Sequence, residues 1–419
     1  MTTSKPLFVY LQRPDTGEWV TVGRYVLDKE NYTGKFIYAP TYVRAGLTWS
    51  IDPVNLPLIS GMEQIAPRYN GLHDVLRDAS PDAWGKLLLQ REHGLSADTH
   101  DSRYLYLANN SNRWGALAIG QSPKPSVALM SSPRLPQLET LMQELVAIFE
   151  RRPPIDAKLR KHLITTSSVG GARPKATIQD AEQFWLVKPY LPTDSSDIPL
   201  LEHFAQQWGQ ASGLHFANSV HHKLSDGLSV VRILRFDRQA GRRCMSISAA
   251  SLLQTEYPGN TAEQMSRWSY PRLAEELKRI GAPDEDGIEL FGRMVFNALV
   301  GNDDDHPRNH AVVYRQAEKC WRLSPAFDVV PHPDETPKTL AMQLSLGQNV
   351  ISREAILLDA LRFGFDDVEV ASAYLDKLMQ QIGTAFTQVD TLLGNDLRRM
   401  MAQRLQDNMK ILAGQVKSP

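Results

Sequence analysis

A chain of 419 residues, 42% hydrophobic and 22% charged, is long enough for two or three domains and apolar enough for a large core. Lys and Arg number 46 against 47 Asp and Glu, a net charge of −1, which excludes a protein that clamps nucleic acid through its own field. Cys244 and Cys320 are the only cysteines, too few for a disulfide scaffold and without zinc spacing. No apolar run approaches the roughly 18 residues of a membrane span, and the N-terminus has no signal-peptide h-region, so a reducing, cytoplasmic setting away from the membrane is expected.

In chain order, Leu7 to Leu11, Trp19 to Leu27 and Lys35 to Tyr38 read as three strands, the first two joined by the turn-forming Asp15-Thr16-Gly17. After a loop punctuated by Pro53, Pro57 and Pro67, the run Ser80-Pro81-Asp82 predicts a helix with Ser80 as N-cap and Pro81 in its first turn. Trp84, Leu87, Leu88 and Arg91 would share its packed face. Gln121 to Pro136, rich in proline and serine, reads as a linker. Leu138, Leu141, Met142, Leu145 and Phe149 then recur at helical spacing and stop before Pro153-Pro154, a core stripe.

Thr165 to Ala176 is a small-residue loop with two cations, Arg173 and Lys175, ahead of the strand Phe184 to Lys188. Its glycines, Gly170 and Gly171, let backbone N–H groups approach phosphate oxygens. It matches neither of the common phosphate-loop signatures, and by itself it is equally a flexible hairpin. What raises it is order: this loop, a strand ending in Lys188, a helix from Ile198 to Ser212 carrying Glu202, and a strand from Ser229 to Phe236 follow as the parts of a kinase fold do. In that reading Lys188 holds the α- and β-phosphates of ATP, Glu202 orients it, and Val230 to Arg238 is the strand and hinge for adenine. The plain alternatives are a snorkelling strand-end lysine and a solvated helix glutamate.

The most informative stretch is Val300-Gly301-Asn302-Asp303-Asp304-Asp305-His306-Pro307-Arg308-Asn309-His310. Asp304 and Asn309 lie five residues apart, the spacing of the base and a metal ligand in a kinase catalytic loop. The apolar run Met294 to Val300 anchors the loop, Ala311 to Tyr314 reads as a strand leaving it, and a second strand brings Asp328, 24 residues beyond Asp304. Alone, three adjacent carboxylates are as well explained by a solvated loop or helix cap. They repel one another unless cations share the site, and this loop is walled by apolar segments. A metal-dependent hydrolase using Asp303, Asp305 and His306 ranks lower, because adjacent residues seldom point at one ion. His306 is expected to support the loop, with its tautomer fixed by neighbouring carboxylates. Tyr270 to Leu277 and Ser352 to Leu412 read as helices, the last with a stripe of Leu392, Leu393, Leu397, Met400, Met401, Leu405, Met409 and Leu412.

With these residues in place the chain resembles the HipA family of bacterial serine/threonine kinases, the toxin half of toxin–antitoxin pairs. Ser80-Pro81-Asp82-Ala83-Trp84-Gly85 and Arg113-Trp114-Gly115-Ala116-Leu117 resemble the family's N-terminal motifs, and Arg235-Phe236-Asp237-Arg238 its hinge. The resemblance implies an α+β, protein-kinase-like bilobal fold: an N-terminal HipA-like domain over 1–125, a kinase N-lobe over 137–240 and a helical C-lobe over 241–419. It implies Asp304 as catalytic base, Asn309 and Asp328 as Mg²⁺ ligands, and ATP held by Lys188 with Val169, Gly170, Gly171, Ala172, Arg173 and Lys175, the hinge adding Arg235 and Phe236. Ser168 matches the serine that such kinases autophosphorylate. The implied partners are a HipB-like helix-turn-helix antitoxin, through which alone DNA is met, and a protein substrate such as an aminoacyl-tRNA synthetase. Gly-Gly-Ala-Arg-Pro-Lys stands where Ala-Gly-Ala-Gln-Glu-Lys is familiar, and Leu234 where an acidic hinge residue is common, while the segments Ser246 to Leu253 and Tyr270 to Leu277 resemble a divergent branch more than the founding toxins.

The expected activity is ATP- and Mg²⁺-dependent phosphorylation of a protein serine or threonine. The rivals are a lipid or small-molecule kinase, suggested by D-x-H-x-x-N but unsupported by any basic membrane patch, and a kinase-shaped, non-catalytic corepressor, against which the intact Lys188, Asp304, Asn309 and Asp328 argue.

Overall fold

The computed structural model describes residues 4–66, 68–130, 132–165, 171, 173–259 and 261–415. Contacts divide the chain into two compact units: Met1–Pro189 with Arg235–Ile247 and Val313–Lys319, and Tyr190–Leu234 with Ser248–Val312 and Cys320–Pro419. These units cut across the three segments suggested by the sequence. The expected hinge goes with the first unit and the helix carrying Glu202 with the second.

In the first unit, β1 (Leu7–Gln12), β2 (Trp19–Asp28) and β3 (Thr33–Tyr38) form where strands were expected. The sheet is wider than three strands: β4 (Gln64–Ile65) and β5 (Leu117–Gly120) flank them in the antiparallel order β4-β3-β2-β1-β5. Alternation buries Val9, Leu11, Val22, Tyr25, Leu27 and Phe36. Gly34 is obligatory, because a Cβ there would lie 1.6 Å from the Gly71 carbonyl oxygen. Helix α1 (Ala83–His93) starts two residues later than Ser80 predicts, since Asp82 is the N-cap, its Oδ1 accepting from the Gly85 amide at 2.8 Å. Its buried face is Trp84, Leu88 and Leu89, while Leu87 is exposed.

Helix α2 (Leu138–Phe149) buries the expected stripe. It also buries Glu144, whose carboxylate accepts from the Ile155 and Asp156 amides at 2.7 and 2.8 Å and from Arg160. That carboxylate so holds the start of α3 (Ala157–Thr165), a helix the sequence reading left out. β6 (Ala176–Asp180) and β7 (Gln183–Pro189) follow as an antiparallel hairpin.

In the second unit, Asp197 caps α4 (Ile198–Ala211), which precedes the antiparallel pair β8 (Ser219–Lys223) and β9 (Ser229–Leu234). Helices α5 (Tyr270–Arg279), α6 (Asp284–Val300), α7 (Val368–Val389) and α8 (Asn395–Leu412) are its longer helices beyond this pair. Trp208 of α4 is fully buried, and its indole N–H donates to the Ile382 carbonyl of α7 at 2.9 Å. Of the stripe predicted for α8, Leu393, Met401, Leu405 and Leu412 are buried but Leu392 lies exposed ahead of the helix.

The buried polar residues of α8 matter more. Asn408 Nδ2 donates to the Ala298 and Leu299 carbonyls at 3.0 and 3.1 Å, and Arg404 Nη1 to the Val300 carbonyl at 3.1 Å. These would otherwise be orphan acceptors at the C-terminus of α6. The helix then ends on left-handed Gly301 (φ 76°), and the acidic loop begins on a fixed exit.

Candidate active site

Asn302 anchors the acidic loop. Its Nδ2 donates to Asn297 Oδ1 at 3.2 Å, and its Oδ1 accepts from the Val330 amide at 3.2 Å, drawing the segment after Asp328 to the loop. Two more backbone bonds, His332 to the Gly301 carbonyl (2.8 Å) and Ala341 to the Asp303 carbonyl (3.0 Å), fix the same side. The three carboxylates, adjacent in sequence, part in space: Asp303 is half-buried, Asp304 exposed and Asp305 buried.

Asp305 is the structural member. Its Oδ2 receives the Tyr270 hydroxyl and lies 2.9 Å from His310 Nε2, while Asn297 Nδ2 donates to the same hydroxyl at 2.9 Å. Burial pushes the Asp305 carboxyl up, but His310 and these hydrogen bonds outweigh it and hold the group below its ordinary value. Tyr270 is driven the other way, well above its ordinary value, by burial and by the Asp305 charge.

Asp304 points outward. Asn309 Nδ2 donates to its main-chain carbonyl at 3.1 Å, and the Tyr257 hydroxyl lies 3.4 Å from its Oδ1. Although the side chain reaches the surface, desolvation and the nearby Asp328 charge raise its carboxyl to about 6. The Tyr257 hydrogen bond acts in the opposite direction. Asp328 itself is half-buried and adopts a left-handed backbone (φ 59°), a conformation uncommon outside glycine. Asp304, Asn309 and Asp328 are therefore brought together.

His306 is buried, but not as the sequence suggested: the Asp305 carboxylate is bonded to His310, and the His306 ring instead stacks on Tyr257 with centroids 3.6 Å apart. Burial lowers its pKa. Neither Tyr257, Tyr270 nor the α8 pair Arg404 and Asn408 is visible as a motif. Their partners lie 27 to 110 residues away in sequence, beyond any local pattern.

In the first unit, Lys188 is buried at the end of β7. Arg173 Nη2 donates to the Pro189 carbonyl at 2.9 Å, tying the loop to the same strand end. Lys175 is also buried and pairs with Asp82 Oδ2 at 3.2 Å, so that one carboxylate caps α1 with one oxygen and holds a loop cation with the other. Gly171 is left-handed (φ 85°), with Lys175 Nζ 3.4 Å from where a Cβ would stand. Ser168, Val169, Gly170 and Ala172 lie outside the described residues. Glu202 of α4, in the second unit, is 1% exposed, which removes the reading of a solvated helix residue.

Arg235 differs from expectation. Its guanidinium bonds Asp237 twice, at 3.0 and 2.8 Å, and reaches Thr177 Oγ1 at 3.0 Å, while its amide donates to the Phe184 carbonyl at 2.9 Å. Asp237 also takes Arg238 Nη1 at 2.8 Å and the Gly115 amide at 2.9 Å. Residue 235 is thus a buried strut of the hinge whose side chain is spent within the protein. Phe236 packs edge-on against Trp114, centroids 6.3 Å apart.

The HipA-like C-terminal domain family matches residues 167–389, more than half of the chain. The chain belongs to the HipA-like family. Over 97% of both chains it is similar, at 17% identity and a TM-score of 0.71, to a chain of the Shewanella oneidensis MR-1 toxin–antitoxin complex of HipA, HipB and operator DNA. It therefore has the HipA kinase-like α+β fold, and serine/threonine protein kinase is the enzyme class of that family. A Sinorhizobium fredii protein named "Putative kinase Y4mE" is 34% identical over 82 residues, which span 19% of either chain. The Helicobacter pylori proinflammatory kinase CtkA matches at 12% identity and a TM-score of 0.42, covering 57% of this chain and 91% of that one. Among the described residues no helix is long and apolar enough to cross a membrane.

Proposed function

We propose that this HipA-like chain is an ATP- and Mg²⁺-dependent serine/threonine protein kinase of the toxin type, with Asp304 as its base. The observation that carries the proposal is the loop geometry: Asn309 ties its amide to the Asp304 backbone, while Asp328 sets its charge against the Asp304 carboxylate. Asn309 Nδ2 donates to the Asp304 carbonyl, so in this proposal its Oδ1 is the metal ligand. With the Asp328 carboxylate it forms an oxygen pair of the hard kind that Mg²⁺ prefers, and the mutual repulsion of Asp304 and Asp328 is what a cation relieves. Bound Mg-ATP supplies the transferable phosphoryl group and the positive charge that neutralises it. Asp304 accepts the proton of the acceptor hydroxyl as that oxygen bonds to the γ-phosphorus and ADP departs with the electron pair of the broken bond.

In this proposal Lys188 and the loop from Val169 to Lys175 hold the phosphates, the hinge at Phe236 faces adenine, and Ser168 is the autophosphorylated residue. The segments 1–125, 137–240 and 241–419 are the functional divisions, and the protein works in the cytoplasm. Because the Shewanella oneidensis relative was solved with HipB and operator DNA, a HipB-like helix-turn-helix antitoxin is the proposed partner, DNA being met through it. An aminoacyl-tRNA synthetase is the proposed class of substrate. The test is γ-phosphate transfer from Mg-ATP by the purified protein and by Asp304→Asn. A fall in turnover of the order of 10² with unchanged folding is expected; equal activity in the variant would falsify the assignment of the base.

A further inference from the structure

Asp304 is exposed, and an aspartate side chain at a surface samples several rotamers unless something holds it. Among the described residues its carboxyl has one hydrogen-bond partner, the Tyr257 hydroxyl at 3.4 Å from Oδ1. That hydroxyl is itself positioned with unusual care. The Tyr257 ring lies on His306 at 3.6 Å between centroids and 29° between planes, and near Trp268 at 5.8 Å. The preceding residue, Glu256, is clamped from both sides: its carboxylate takes Arg308 Nε at 2.6 Å and Nη2 at 3.1 Å, and its carbonyl takes the Trp268 indole N–H at 3.1 Å. Arg308 belongs to the acidic loop, one residue before Asn309. The segment carrying Tyr257 is therefore tied to the acidic loop through the Glu256–Arg308 pair.

We infer that Tyr257 is a positioning residue: its hydroxyl donates to Asp304 Oδ1 and fixes the carboxylate so that Oδ2 faces the acceptor hydroxyl. The inference rests on the proposed kinase reading of Asp304. The geometry suits the task, because one oxygen of a carboxylate used as a base must stay unencumbered while the other is anchored. A long bond at a half-open site holds the rotamer without strongly weakening the base. The proton taken from the acceptor goes to Oδ2, and Tyr257 keeps its own throughout. The stack on His306 gives that residue its place as well: a flat, buried support for the phenol instead of an acid or base.

The test is Tyr257→Phe, which keeps the stack and removes only the hydroxyl. Phosphate transfer from Mg-ATP is followed to the chain itself, to dephosphorylated casein and to water. The inference expects kcat to fall about 5- to 20-fold, a share of what a positioned base contributes, with the KM for ATP and the melting temperature unchanged. In single-turnover assays the same substitution on the Asp304→Asn background should cost little more, because the two residues act as a unit. An unchanged kcat overturns the inference, as does a loss shared equally by the KM for ATP, which marks general distortion. A faster variant also overturns it, for the phenol would then compete with the acceptor. If the wild-type protein transfers phosphate to none of the three acceptors, it is the kinase reading that fails.

Discussion

The side-chain amide of Asn309 closes the acidic loop on the main-chain carbonyl of Asp304, 3.1 Å away. The six residues from Asp304 to Asn309 are thereby folded into a small ring, with the candidate base at one end and a candidate metal ligand at the other. Because Nδ2 is the donor, the amide cannot turn, and Oδ1 is directed away from the Asp304 carbonyl. Asn309→Ala removes both the tether and the oxygen. The Mg²⁺ concentration for half-maximal turnover should rise about tenfold or more, as it does on losing one ligand of a weakly held ion, with thermal stability lowered only slightly. A magnesium titration of initial rates checks this.

The hinge makes a different prediction, about stability. Asp237 neutralises Arg235 and Arg238 in a place where all three are buried. Removing the carboxylate leaves two guanidiniums without their counter-charge, a change that costs about 3–5 kcal/mol. Asp237→Ala should accordingly unfold at clearly lower urea, whereas Phe236→Ala, which loses ring packing against Trp114, should cost less. Urea denaturation of the two variants decides the order.

Two histidines contribute to the acid side of stability. Burial lowers the pKa of His73 to about 4, and burial with the neighbouring His221 and His222 lowers that of His203 to about 4. An unfolded histidine titrates near 6.5. Between these values the unfolded chain binds more protons than the folded one, so stability is full above pH 6.5 and is lost as pH falls towards 4. For the buried His73 the loss is at most about 3 kcal/mol. His73→Gln should flatten the dependence. Urea midpoints at pH 5 and 7.5 would differ less in the variant than in the wild type; an equal difference would remove His73 from the account.

Much of the second unit's chemistry could be read in the sequence because it is local. Asp304, Asn309 and the anchoring run up to Val300 share one short segment, and their spacing is imposed by the loop itself. The same holds for β1 to β3 and for the core stripe of α2, where period and turn residues agree. What escaped was non-local. The turning of Asp305 inward, apart from the exposed Asp304, depends on Tyr270 and Asn297, residues of two other helices. The hinge arginine is named through the family resemblance of its segment; only the fold shows its guanidinium bonded to Asp237. At Ser80 a true signal was misplaced by two residues, since proline at position 81 suited the first turn but Asp82 made the capping bond. β4 and β5 are too short to show alternation. Arg404 and Asn408 sat within an apolar stripe, and periodicity gives no weight to the polar side chains that tie down the loop.

The central claim, that Asp328 with Asn309 forms a metal site serving nucleotide, is met most directly by calorimetric titration of ATP into the purified protein with and without Mg²⁺, and into Asp328→Ala. The account predicts that Mg²⁺ strengthens ATP binding by at least about tenfold in the wild type, or about 1.4 kcal/mol, and that Asp328→Ala loses this dependence while keeping the metal-free affinity. ATP binding of equal strength in the wild type with and without Mg²⁺ would contradict it.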